Sequence, residues 1–395
     1  MGSASRRPGV LFAVLASALL SGCVPTAAQP TRTPGGAPPA AASPVPAASL
    51  DATFPLPAIG VRLAMPVELA IDREGNLYAG QCTFEGGESL ILRIDQKGIL
   101  DAIAGSGEVG FGPDGSPALD GAIDCPAGIA FGPDGLLYFA DHGNNRIRRI
   151  ELDGTISTVA GSGPAGVNRG SFSGDGGPAE AATLKEPWGI AFDSNGNLYI
   201  ADRDNDRIRM VDRRGVITTV AGTGVRGYGG DGGPGAKAQL CGPQGLAVDP
   251  HDNLYLADDC NDRVRRLSTD GMIATVAGAG AVAVGVGAVG DGGAALSAQL
   301  DGPDGLAFGL DGALYVATNP GLRVRRVELG GAITTVAGTG SAGTPTEGAQ
   351  ATDASFPELY GLAFDGAGNL YIADGNVAIY RVDLSGVVTR FAGAP

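Results

Sequence analysis

A sixteen-residue phrase repeated along the chain, an even repeat spacing, and four short strand-like runs per repeat predict an all-β fold, a six-bladed β-propeller of four-stranded antiparallel blades. The phrase is clearest from Pro126 to Asp141. It recurs from Pro187, Pro243 and Pro303, in divergent form from Pro66 and with an insertion from Pro357. The spacings are 60, 61, 56, 60 and 54 residues, so six units fill residues 66 to 395. In the second unit, residues 128–131, 136–140, 146–152 and 156–160 are the expected strands a to d, divided by Gly-Pro-Asp-Gly, His-Gly-Asn-Asn and Asp-Gly turns. The 67 glycines and few aromatics suit tight turns better than long helices.

Ahead of the repeats, Arg6 and Arg7 precede an apolar run from Val10 to Leu20 that is too short to span a bilayer as a mature helix. Leu20-Ser21-Gly22-Cys23 resembles a bacterial lipobox, which implies a signal peptide over 1–22 and lipidation of Cys23. Two or more acyl chains hold a protein on a membrane where one does not. Residues 23–58 then form a Pro, Ala, Thr and Ser tether without apolar periodicity, leaving 59–395 as the propeller. These features place the chain in a bacterial cell envelope, lipid-anchored and extracytoplasmic, touching the membrane through its N-terminal lipid alone.

The net charge of −15 speaks against nucleic acid as a partner. It is a weak pointer towards cationic ligands or ions. A monomer that binds a protein or a small molecule is the expected state.

The phrases Pro-x-Gly-(Ile/Leu)-Ala, Leu-Tyr-x-Ala-Asp and Asn-x-Arg-(Ile/Val)-Arg resemble the NHL repeat. Thr-Val-Ala-Gly-(Ser/Thr/Ala)-Gly followed by Gly-Asp-Gly-Gly resembles the NHL repeats of bacterial surface proteins and teneurins. The resemblance covers the chain beyond the tether. It implies the propeller fold, but the family spans adhesion modules, receptor-like domains and a few lyases.

Five units carry roughly twenty extra residues between strand d of one blade and strand a of the next, a small-residue stretch in each suggesting one helical turn. In an up-and-down blade the d-to-a and b-to-c connections share a face, so the insertions thicken that face. Cys82 and Cys260 fall in b-to-c turns, and Cys125 and Cys241 just ahead of strand a. All four therefore share one face, and an oxidising compartment favours Cys82–Cys125 and Cys241–Cys260 among three connectivities.

Histidine chemistry is poorly served. A zinc lyase needs several convergent imidazoles or thiolates. His142 lies in a b-to-c turn and His251 in an a-to-b turn, on opposite faces. The recurring pairs Asp141…Arg146, Asp202…Arg207 and Asp258…Arg263 are read as fixing the turn, with each other or with backbone, rather than as a charged ring. Asp202, Asp204 and Asp206 have the spacing of a calcium loop, but Arg207 takes the place of the glycine such a loop needs. Asp175, Asp231 and Asp291 are read as turn formers.

The informative variation is at x of Pro-x-Gly, which starts the innermost strand. Across the blades x is Val67, Ala127, Trp188, Gln244, Asp304 and Tyr360, and Glu68 replaces the following glycine in the first blade. A repeat that keeps its frame while one inward position changes points to a mouth with blade-specific chemistry. Glu68, Trp188, Gln244, Asp304 and Tyr360 are the candidate ligand-binding residues. No catalytic residue and no cofactor is assigned. The alternative is a lactonase-like hydrolase or lyase with Glu68 and Asp304 holding calcium in the channel, as in some six-bladed lactonases.

Overall fold

The computed structural model describes residues 56–82, 88–166, 168–280 and 290–394. The expected signal peptide, Cys23 and most of the tether lie outside the described residues. Within them are six antiparallel sheets, each built on four strands in order a-b-c-d and two of them extended by a two-residue fifth strand, Leu56–Pro57 or Gly233–Pro234, so the chain folds as a six-bladed β-propeller. In the third blade the strands are Pro187–Phe192, Leu198–Asp202, Arg207–Val211 and Ile217–Ala221.

The repeated phrases each have a structural duty. At the a-to-b turn, Asp193 Oδ1 accepts the Asn197 N–H at 2.8 Å while the Asn197 amide donates to Asp193 Oδ2 at 2.7 Å. Asp72 with Asn76, Asp249 with Asn253 and Asp365 with Asn369 repeat this closure. The tyrosine of strand b meets a phenylalanine of the next blade edge to face, as in Tyr138–Phe192 at 4.9 Å and Tyr255–Phe308 at 5.1 Å. Such pairs add about 0.5–1.5 kcal/mol beyond their burial, and they join blades rather than strands.

The innermost strands approach backbone to backbone. A Cβ on Gly128, Gly189, Gly245 or Gly305 would lie 2.1–2.4 Å from the carbonyl oxygen of Trp188, Gln244, Asp304 or Tyr360 in the following blade. Only glycine permits that approach. The first blade moves its glycine to strand b: Glu68 sits opposite Gly80, and Gly80 meets Pro126 O.

The outer strands are covered and stapled by the insertions. The N–H of Gly105, Gly161, Gly222, Gly278 and Gly338 at the end of strand d donates to Ala118, Ala179, Gly235, Ala295 and Ala351 in the segment leading to the next blade, at 2.9–3.0 Å. The small-residue stretches form the expected single turns, of 3-10 type, at Ala179–Ala181, Gly235–Lys237, Ala295–Ser297 and Ala351–Asp353. The sixth staple closes the ring: Gly393 N–H donates to Ala58 O at 2.9 Å. Leu56–Pro57 pairs with Ile99–Ala104, the outer strand of the first blade. Residues 56–58, tether by composition, thus serve as the first blade's lead-in.

Gly245→Ala should destabilise the fold by about 3 kcal/mol, the upper end of overpacking costs. Gly215→Ala, a turn position at φ +78° with open space around it, should cost about 1–2 kcal/mol. Denaturant midpoints at constant m-value will check the ranking.

Candidate functional site

The funnel is built from a buried charge outward. Arg148, Arg209 and Arg265 of strands c are fully buried. Each guanidinium sits between two carboxylates. Arg209 lies 3.3 Å from Asp202 at the end of strand b and 2.8 Å from Asp175 in the Gly-rich insertion. Arg148 takes Asp141 and Asp114, and Arg265 takes Asp258 and Asp231. Phe111, Phe172 and Tyr228 cover the guanidinium faces at 4.7–5.2 Å. The fifth blade keeps Arg325 and Asp291 but has Thr318 in the strand b position, while the first and sixth replace the arginine by Leu92 and Tyr380.

The turn-fixing reading of the Asp…Arg pairs holds in its backbone form and is corrected in its paired form. The charge partner of Asp141, Asp202 and Asp258 is the second arginine of Asn-x-Arg-x-Arg, not Arg146, Arg207 or Arg263. Those three point outward and donate to the turn carbonyls of Asn144, Asn205 and Asn261. Asp175, Asp231 and Asp291 lie in the expected turns, closed by the Gly177, Gly233 and Gly293 N–H groups, and their carboxylates in addition pair with buried arginines. Spacing alone does not show which arginine of the phrase faces the interior.

The same strand b carboxylate positions the lead-in of its blade. Its Oδ1 accepts the N–H of Asp124, Lys185 or Cys241 at 2.7–2.8 Å. The next residue is then left-handed, at φ +53° for Cys125, +47° for Glu186 and +57° for Gly242. Strand a follows at once, with its x residue at the axis. Non-glycine residues at positive φ carry strain that the surrounding contacts must hold.

Four of the five candidate residues, Trp188, Gln244, Asp304 and Tyr360, line one cavity of about 340 Å³. Glu68 is not in its lining. It stands within reach of the Asp304 charge and keeps some exposed area. Val67 and Ala127 fill the opposite sector with Met65, the Cys82–Cys125 disulfide and the flanks of Trp188 and Tyr360. The funnel is therefore apolar on one side and polar on the other.

The cavity also takes His142, Glu186, Arg203, Asp259 and Asn319, which the sequence reading did not select. His142, Arg203, Asp259 and Asn319 each follow the last residue of strand b, and Cys82 and Gly375 hold that place in the other blades. A second position that varies while its frame stays constant was thus available as a signal. His142 is buried, with Nδ1 3.3 Å from Pro187 O, Nε2 3.8 Å from Glu186 and its ring edge-on to Trp188 at 5.1 Å. His251 belongs to the Asp249 turn and takes no part.

Burial dominates the electrostatics. It pushes the Glu68 carboxyl up to about 8, against a hydrogen bond from the Leu69 N–H, with the Asp304 charge adding. Asp304 is likewise pushed to about 8 by burial and by Asp259, opposed by Arg203 and the Trp188 indole. Asp259 rises to about 6, chiefly through burial. His142 falls to about 4 by burial and the Arg203 charge, so it is neutral at pH 7. Burial also raises Glu186 and Tyr360.

Calcium asks for about six to eight oxygen ligands. Among the described residues no three His, Cys, Asp or Glu side chains converge to hold a metal ion, so Glu68 and Asp304 have no third such side chain beside them. Asp202, Asp204 and Asp206 diverge to Arg209, to Arg203 with Lys185, and to Arg226. Cys241 and Cys260 are free thiols joined by a hydrogen bond that raises the first and lowers the second, not the expected second disulfide. Whereas Cys82–Cys125 ties the b-to-c turn of one blade to the lead-in of the next, both these thiols flank the a–b pair of a single blade.

These features define a closed six-bladed propeller with an asymmetric polar funnel on its axis. Residues 168–226 match the Teneurin NHL domain family and residues 240–267 the NHL repeat family. The chain belongs to the NHL-repeat β-propellers. It is similar to Teneurin-m of Drosophila melanogaster, 29% identical over 356 residues, covering 81% of this chain and 12% of that protein. It is also similar to NHL repeat-containing protein 2 of Gallus gallus, 27% identical over 345 residues, covering 80% of this chain and 45% of the relative. The chain thus spans less than half the length of each. Among solved structures, an auxiliary nutrient binding protein from Bacteroides thetaiotaomicron superposes with a TM-score of 0.56 at 14% identity, over 83% of this chain and 70% of that one, a likeness of fold.

The raised carboxyl of Asp304 gives a pH signature. An acid whose folded pKa exceeds its unfolded value binds its proton more tightly when folded, so its contribution to stability falls from pH 4 to 8 and then levels. Asp304→Asn removes that slope. The variant should gain on the parent as pH rises from 5 to 8, read from urea midpoints at the two pH values. Separately, Arg209→Met leaves Asp202 buried without its cation and should cost about 3–5 kcal/mol.

Proposed function

We propose that the chain is a recognition propeller of the bacterial cell envelope, held on the membrane by the lipid on Cys23, that binds a small ligand or a projecting side chain in the axial funnel. One observation carries the recognition part: the blade-specific residues, and not the repeated ones, furnish the polar wall of the cavity, with Trp188, Gln244, Asp304 and Tyr360 coming from four successive blades. The repeated residues are spent on holding blades together. A cavity of about 340 Å³ with two aromatics and a few convergent polar groups is of ligand size.

The hydrolase or lyase alternative finds no cluster of three His, Cys, Asp or Glu side chains among the described residues to support its calcium form. An exported setting accords with the cross-blade disulfide. It would also allow the Cys241–Cys260 thiols to close to a second bridge.

Two experiments test these readings. In a small-metabolite screen read by thermal shift, a hit should stabilise the parent and lose at least tenfold in affinity with Trp188→Ala and Tyr360→Ala; equal binding by both variants would remove the funnel from the proposal. Cys23→Ala should move the protein from the membrane fraction to the soluble fraction, and retention on membranes would defeat the lipid anchor.

A further inference from the structure

Building on recognition at the funnel, we infer that the ligand carries a primary ammonium group, which would seat against Asp304 and Asp259 and under the faces of Trp188 and Tyr360. Asp304 is 4% exposed and lines the cavity with Trp188 beside it, and among the described residues it has no ion-pair partner. Asp259 lines the same cavity beside Gln244 and likewise has no ion pair among the described residues. Arg203 eases both carboxylates from a distance but makes its ion pair elsewhere: it is 3.3 Å from Asp204, which Lys185 also approaches at 3.6 Å, and its guanidinium lies 5.6 Å from the Trp188 ring.

The wall is thus a carboxylate pair in a sheltered site without a cation in direct contact, among the described residues. Burying a carboxylate unpaired is costly, and such sites hold a proton until a cation arrives. An ammonium supplies that charge at a point, donates three hydrogen bonds, and gains from the aromatic faces. The amides of Asn319 and Gln244 add acceptors. A guanidinium would compete with Arg203 for the Trp188 face. A divalent ion would find no third carboxylate, imidazole or thiolate converging there among the described residues.

Proton linkage follows. The groups facing Asp304 are Glu68 from the first blade, Arg203 from the third, Asp259 from the fourth and Tyr360 from the sixth. A cation favours the ionised carboxylate, so binding should release a proton, and affinity should rise with pH up to about pH 8.

Trp188 is the chain's single tryptophan, so its emission reports directly on the site. The intact chain in detergent is titrated with n-butylammonium, with 1-butanol as the neutral match, and with Nα-acetyl-lysine-methylamide to represent a protein side chain. Expected are a saturable change with n-butylammonium and none with butanol, affinity rising several-fold between pH 6.5 and 8, and at least tenfold weakening in Asp304→Asn, with folding verified by circular dichroism and Asp259→Asn as the second variant. Binding of the lysine amide as tightly as the alkylamine makes a protein side chain the source; exclusion of it makes a free amine the source. Equal responses to butylammonium and butanol, or full affinity in both variants, would overturn the ammonium assignment. A neutral ligand that binds and is lost in Trp188→Ala would refute this inference while leaving funnel recognition standing.

Discussion

The fully buried guanidinium between two carboxylates is the interaction on which the working face depends. A charge taken out of water needs both partners and good geometry to persist. In the second, third and fourth blades the first carboxylate comes from the end of strand b and the second from the insertion ahead of the blade. The pair of carboxylates therefore brings a loop of roughly twenty residues down onto the sheet. The same strand b aspartate captures the lead-in N–H, and so decides where the left-handed residue and the axial side chain fall. Where the arginine is lost the blade finds another solution. Gln81 receives the Ala64 N–H in the first blade, and Asp374 closes on its own turn through Asn376, Val377 and Ala378 in the sixth.

Much of this was legible in the sequence because a propeller writes its rule six times. Strand number, turn positions, the helical turns of the insertions and the Cys82–Cys125 contact follow from the repeat and from which connections share a face. The limits are physical too. Asn-x-Arg-x-Arg offers two arginines of opposite facing, and nothing in the spacing says which one the sheet buries. Residues 56–58 have a tether's composition because a lead-in makes backbone bonds that place little demand on side chains.

The funnel was half legible for the same reason. Variation at x marked Trp188, Gln244, Asp304 and Tyr360, since x lies on the innermost strand. His142, Arg203, Asp259 and Asn319 escaped because the residue after strand b reads as a turn, and only the folded arrangement shows that turn leaning over the axis. Glu186 is less accessible still. It reaches the cavity from a left-handed lead-in position, where the second blade has Cys125 and the fourth Gly242. Glu68 lies apart from the lining because the first blade shifted its glycine to strand b.

The ring closes through the same staple that joins the other blades, with Ala58 standing in for an insertion. That places the oldest weakness of a circular fold, its seam, at the point where the upstream chain joins it. Tension transmitted along that chain is met first by Leu56 and Pro57 paired to Leu100 and Ile99, and by Ala58 held between Gly98 and Gly393. Ala58 both takes the load and shuts the ring, and the N–H groups of Gly60, Leu63 and Met65, which donate to Gly393, Val377 and Asn376 of the last blade, lie directly behind it, so mechanical strength and topological closure share one short stretch of chain.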